Sequence, residues 1–169
     1  MALGLSSLFL RARGRNFDAE TLKSLEEFSI PGRLQLLPST PTIFLDVAHT
    51  PLSIKASYQA SWEHQGAFPD AVMIGFNEDK EREAILSILV EHSSSFVVVP
   101  LPSQRSCSPQ KLADAIRSIA EKQALFPTIF SFESLEEGWR FFEASSFQLG
   151  LVTGSFSLVG AVLEIVERS

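Results

Sequence analysis

The sequence predicts a three-layer α/β domain whose sheet is mostly parallel and carries an antiparallel hairpin strand. Three observations predict it. Six short β-branched or aromatic runs recur along the chain, each bounded by turn residues. Segments of helical length separate the later runs, as parallel neighbours require of their crossover connections. The first two runs are joined by "PSTP" alone, a link short enough for an antiparallel hairpin.

Ahead of the first run, "NFDAETLKSLEEF" predicts a short helix. Asp18 can cap it, and Phe17 with Leu22 have the spacing of a hydrophobic staple. "SIPGR" breaks it, because Pro31 and Gly32 together mark a turn. The expected organisation is therefore an appendage over residues 1–30 and the domain over residues 31–169. The opening "MALGLSSLFLRARGRNF" is acid-free and carries three arginines. Its charge follows the apolar stretch, so it is not a secretory signal. It reads either as an organellar transit peptide or as the end of a helix from a preceding domain.

"RLQLL" and "TIFLDV" form the expected hairpin. "LSIKASYQASW" alternates apolar and polar residues, which by periodicity alone says strand. Thr50-Pro51 is a good cap and first-turn pair, however, and a crossover element is needed here, so a helix is expected. It would present two apolar faces, Leu52/Ala56/Ala60 and Ile54/Tyr58/Trp62. The strands "AVMIGF", "SFVVVPL", "TIFSF" and "LGLVTG" follow. Between them "SPQKLADAIRSIAEKQ" has Ser108 as cap, Pro109 at the first helical position, and Leu112, Ala115, Ile116 and Ile119 on one stripe. "SLEEGWRFF" opens on a capping-box pattern, Ser134 to Glu137. "SFSLVGAVLEIVER" closes the chain with apolar residues at helical spacing.

The totals bound the function. The chain has 169 residues, 45% of them apolar and 20% charged, which suits one globular domain with a real core. A net charge of -6 argues against broad binding to nucleic acid or to anionic membranes. The single cysteine, Cys107, can form neither an internal disulfide nor a thiolate cluster, and a reducing compartment, the cytoplasm, is expected. No apolar run approaches the roughly 18 residues of a membrane span. No H-E-x-x-H or paired-cysteine pattern occurs, so no metal ligands are assigned.

Ligands of such sheets sit beyond the carboxyl ends of the strands. Asp46 and His49 fall there, in "LDVAHTP". So do Asn77 to Lys80, Arg105, and Gly154-Ser155. Read singly, each has a plainer use: Asp46 as a turn acid, His49 as a satisfied histidine, Arg33 as the partner of a nearby carboxylate. His64 and His92 lie near helix ends, Cys107 has no defined base, and Trp139, Phe141 and Phe142 read as core.

Four motifs in order add a resemblance. "IPGRLQLLPSTPTIFLDVAHTPLSIKA" resembles a PGR…P-x-apolar run-D-x-A-H-N-P signature. "MIGFNEDKE", "VPLPSQRSCSPQKL" and "VTGSFSLVGAVLEIV" resemble the segments that follow it. From about residue 31 onward the chain is similar to the C-terminal domain of the Mur ligases, in the folylpolyglutamate synthase/dihydrofolate synthase branch. The resemblance implies a Rossmann-like domain of an ATP-dependent ligase, which adds L-glutamate to dihydropteroate or a folate through an acyl phosphate. It implies catalytic and nucleotide-binding roles for Arg33, Asp46 and His49. It also places Lys80 and Ser155 at cofactor-binding positions, and Arg105 at a position without a firm role. ATP and Mg2+ are the implied cofactors, with the metal held mainly by a central P-loop domain.

Two departures stand out. Thr50 replaces the motif asparagine, which keeps a helix cap but puts any ligand contact of that asparagine in doubt. The sequence also holds no G-x-x-x-x-G-K-[ST], so the chain resembles the last third of such an enzyme, with the P-loop domain as a required partner. Two alternatives stay open. One is a non-catalytic module that uses the Ile54/Tyr58/Trp62 face to bind a partner. The other is a muramyl-peptide ligase domain, although "PLPSQRS" lacks the Asp-Asn-Pro-Arg motif of that branch.

Overall fold

The computed structural model describes residues 30–78 and 82–168. Within them six strands form one sheet: β1 (Gln35–Leu37), β2 (Thr42–Leu45), β3 (Ala71–Ile74), β4 (Ser95–Val98), β5 (Thr128–Ser131) and β6 (Leu149–Thr153). The spatial order is β1-β2-β6-β3-β4-β5. The β1–β2 pair is antiparallel and the other four pairings are parallel. The helix expected over residues 16–28 and the residue Lys80 lie outside the described residues.

Five helices follow or join these strands: α1 (Pro51–Gln65), α2 (Arg82–His92), α3 (Pro109–Lys122), α4 (Leu135–Glu143) and α5 (Phe156–Arg168). They divide between the two faces of the sheet. Val72, Ile74, Phe96 and Val98 pack with Ile54 and Tyr58 of α1, Leu86 and Leu89 of α2, and Leu112 and Ile116 of α3. The alternate strand positions Ala71, Met73 and Val97 pack with Trp139 and Phe142 of α4 and with Leu158, Val159 and Val162 of α5. Strands covered on both faces need apolar side chains at every position, which is why these runs read as continuous rather than alternating. The domain is the expected three-layer α/β fold.

The two caps differ in strength from expectation. Thr50 closes a full reciprocal box on α1: Ser53 N–H donates to Thr50 Oγ1 at 3.2 Å, and Thr50 N–H donates to Ser53 Oγ at 3.0 Å. The box expected at Ser134 forms by half. Glu137 N–H reaches Ser134 Oγ at 3.4 Å, while that hydroxyl turns to Glu136 Oε2 at 3.1 Å.

Helix α1 also resolves its ambiguous pattern. Its buried face is Ile54, Ser57, Tyr58 and Ser61, a regular helical stripe that carries two serines. The expected Ile54/Tyr58/Trp62 docking face does not exist as a unit. Ile54 and Tyr58 are interior, and only Trp62 is half exposed, tilted against Phe68 at 5.1 Å. Leu52, on the other predicted face, is 80% exposed, so that face does not pack on the sheet.

Candidate functional site

The site begins with register. Leu45 aligns with Val152 across the β2–β6 pair, and Asp46 N–H donates to Val152 O at 3.0 Å. The carboxyl ends of these parallel strands therefore lie side by side. Beyond them the two loops are tied together: Gly154 N–H donates to Ala48 O at 2.9 Å, and the Thr153 hydroxyl donates to the same oxygen at 3.1 Å. Gly154 needs its freedom here, since its φ is +102° and an added Cβ would stand 2.9 Å from the Phe76 ring.

A third loop brings Arg33. Val47 N–H donates to Gly32 O at 2.8 Å, which pins the turn before β1 against the end of β2. Arg33 sits between two left-handed residues, Gly32 at φ +71° and Leu34 at φ +47°. Gly32 cannot gain a side chain, because its Cβ would meet Val159 Cγ1 at 2.8 Å. For Leu34 the left-handed conformation is strained, and such strain persists only where surrounding contacts over-determine it. The tight double turn leaves Arg33 exposed. Its guanidinium carbon stands 6.0 Å from the centre of the Phe156 ring.

His49 meets the same ring, tilted, with centroids 5.3 Å apart. Its Nδ1 lies 2.9 Å from Val47 O. A carbonyl only accepts, so Nδ1 is the donor in this contact, and Nε2 is left outside it. Phe156, the first residue of α5 and 55% exposed, is thus the common neighbour of Arg33 and His49. Sequence reasoning missed it as a site residue. Its signal was its place directly after the predicted Gly154-Ser155 pair.

Asp46 is 9% exposed. Oδ2 accepts from Ser57 Oγ at 2.6 Å, and Oδ1 accepts from Ala48 N–H at 3.2 Å. Burial pushes its carboxyl above the ordinary value, while the Ser57 hydrogen bond, the Ala48 N–H and the charge of Arg33 pull the other way. Arg33 acts on it through space. Among the described residues no ion pair at 4.0 Å or less ties up either group.

The remaining candidates separate. Ser155 is buried, and its hydroxyl accepts from Ser157 N–H at 3.1 Å, so it caps α5 at the edge of the cluster. Arg105 belongs to a neighbouring loop pair, where Glu78 N–H donates to Arg105 O at 2.9 Å and Asn77 bridges to Ser106. Cys107 is buried there, with Arg82 Nη1 2.6 Å from its sulfur. Among the described residues no group of three or more His, Cys, Asp or Glu side chains could hold a metal ion. None of their helices is long and apolar enough to cross a membrane.

A family model described as "Mur ligase, glutamate ligase domain" matches residues 32–156. The dihydrofolate synthase/folylpolyglutamate synthase of Buchnera aphidicola subsp. Schizaphis graminum is 27% identical over 99% of the chain and 38% of its own length. The enzyme of the same name from Escherichia coli K12 is 25% identical over 94% of the chain and 36% of its own length. Among solved structures, E. coli FolC in complex with DHPP and ADP superposes with a TM-score of 0.76 at 23% identity, over 95% of this chain and 37% of that one. The chain thus spans little more than a third of the relatives it matches, and the structural agreement is one of fold.

Proposed function

The chain belongs to the Mur ligase family through its glutamate ligase domain, and from that premise we propose that it completes the nucleotide site of an ATP-dependent ligase that adds L-glutamate to dihydropteroate or a folate. The observation that carries this reading is the convergence of Arg33, Asp46 and His49 at the carboxyl ends of β2 and β6, with Phe156 a neighbour of both Arg33 and His49. The curated relatives bear the matching activity in their names.

ATP, when bound, supplies the phosphoryl group that turns the acid into an acyl phosphate. The chain's own residues fit a phosphate-bearing ligand. Arg33 is exposed and held by a strained turn, and its guanidinium fork suits phosphate oxygens and the charge that builds on them. Asp46 offers a carboxylate whose donors each use one lone pair, leaving others for ribose hydroxyls or an amino group. His49, fixed by its Nδ1 bond, offers Nε2 as an acceptor, or as a donor once protonated. Ser155 and the Gly154 turn set the start of α5, and Lys80 is proposed as a further contact. Mg2+ would enter with the nucleotide, held mainly by a separate P-loop domain.

This reading makes the P-loop domain an obligatory partner. Glutamate-dependent ADP release should be absent from the purified 169-residue chain and appear when a family P-loop domain is supplied. Turnover by the chain alone, or none after reconstitution with a folded partner that binds it, would overturn the proposal.

A further inference from the structure

Ser57 lies on the buried face of α1, 2% exposed, among Ile54, Tyr58 and Ser61. A hydroxyl at such a place has to be satisfied inside the protein. Ser61 shows the ordinary solution, donating to the carbonyl of Tyr58 in its own helix at 2.8 Å. Ser57 has the same solution at hand, since its Oγ is 2.9 Å from Ser53 O. Yet its shorter contact leaves the helix for Asp46 Oδ2, at 2.6 Å. Ser57 does not need Asp46; Asp46 needs Ser57, because its other donor is the Ala48 N–H at 3.2 Å.

We propose that Ser57 is a positioning residue for Asp46, holding the carboxyl in one orientation in both of its charge states. The single hydroxyl hydrogen makes this possible. When Asp46 is ionised, Ser57 donates to Oδ2. When Asp46 is neutral, its own proton goes to Ser57 Oγ and the serine hydrogen turns to Ser53 O. No heavy atom has to move. Burial raises the proton affinity of Asp46, which brings the neutral state within reach. Among the described residues, Arg33 is the charged group acting on Asp46 and His49 is the other titratable side chain of the cluster; β6 and α5 bring Thr153 and Ser155, which do not titrate. The importance of this device rests on the nucleotide-site reading, but its existence does not.

Side-chain carbon NMR of the 169-residue chain tests it without any ligase assay. Ser57→Ala should move the Asp46 titration midpoint upward, by loss of the donor to the ionised form. Ser61→Ala, equally buried on the same helix face, should leave it in place. An unmoved midpoint in Ser57→Ala, or an equal movement in Ser61→Ala, overturns the proposal. Should Ser57→Ala not fold, the unsubstituted chain decides: the Ser57 Cβ resonance should titrate with the midpoint of Asp46, and a flat or independent Ser57 profile overturns it. A reconstituted enzyme without ligase activity would count against the proposed function alone.

Discussion

The backbone N–H of Gly154 donates to the carbonyl of Ala48 at 2.9 Å, joining the loop after β6 to the loop after β2. With the Thr153 hydroxyl on the same oxygen at 3.1 Å, that bond ties the strand end carrying Asp46 and His49 to the helix start carrying Phe156. Gly154→Ala should break the arrangement, since the new Cβ meets both a left-handed backbone and the Phe76 ring. A loss of about 1–3 kcal/mol is expected, read from the midpoint of chemical denaturation.

Arg33 is exposed, and among the described residues it makes no ion pair at 4.0 Å or less; its guanidinium stands over the Phe156 ring at 6.0 Å. Arg33→Ala should therefore change stability by no more than about 0.5 kcal/mol. In the reconstituted ligase the same change should lower kcat by roughly 10²–10³. Arg33→Lys should recover only part of that loss, because an ammonium cannot match phosphate in a bidentate way. Equal activity in all three proteins would remove Arg33 from the site.

Asp46 sets a pH dependence whose sign is fixed by its burial. Its folded proton affinity is raised above the ordinary value of 3.8, so the folded chain holds this proton more tightly than the unfolded chain. The stabilisation from that proton is fully present below pH 3.8 and is lost as the pH rises through the folded value. At neutral pH the ionised group costs stability. Asp46→Asn should thus melt above the parent at pH 7, with the difference closing toward acid, in Tm measured against pH. The same variant should be defective as part of the ligase, a common exchange of stability for function.

Thr50 stands where the motif that this segment resembles has asparagine, and both side chains cap helices. Thr50→Ala removes the Oγ1 that receives the Ser53 N–H and should cost about 1 kcal/mol. Thr50→Asn should stay within about 0.5 kcal/mol of the parent. Paired thermal melts distinguish the two, and equal losses would mean that threonine does more here than cap.

Much of this was legible in the residues. The strands announced themselves because both sheet faces are covered, so every position in "AVMI" or "SFVV" carries a side chain fit for burial or a strand start. Helix α1 was harder: Ser57 and Ser61 occupy its buried face while Leu52 and Trp62 are exposed, and only the Thr50-Pro51 start and the need for a crossover element argued for helix. Asp46 and His49 stood out as polar residues ending an apolar run, and the Pro-Gly turn marked Arg33. Phe156 did not, since a phenylalanine opening an apolar helix looks like core. Ser57 was invisible for the opposite reason, being a polar residue whose partner lies on another element. Strand order was unreadable too, because the insertion of β6 depends on pairings remote in sequence.

That insertion has a consequence for how the molecule is made. The sixth strand to be synthesised occupies the middle of the sheet, so β2 and β3 have no common neighbour until it arrives. A ribosome that has delivered everything up to residue 148 has built neither the β2–β6 nor the β3–β6 pairing, nor the loop that carries Gly154 and Phe156. Nascent chains stalled at that point should be sensitive to protease and prone to stick through two open strand edges. Competence for ligand would then be acquired in one late step rather than accumulated during elongation.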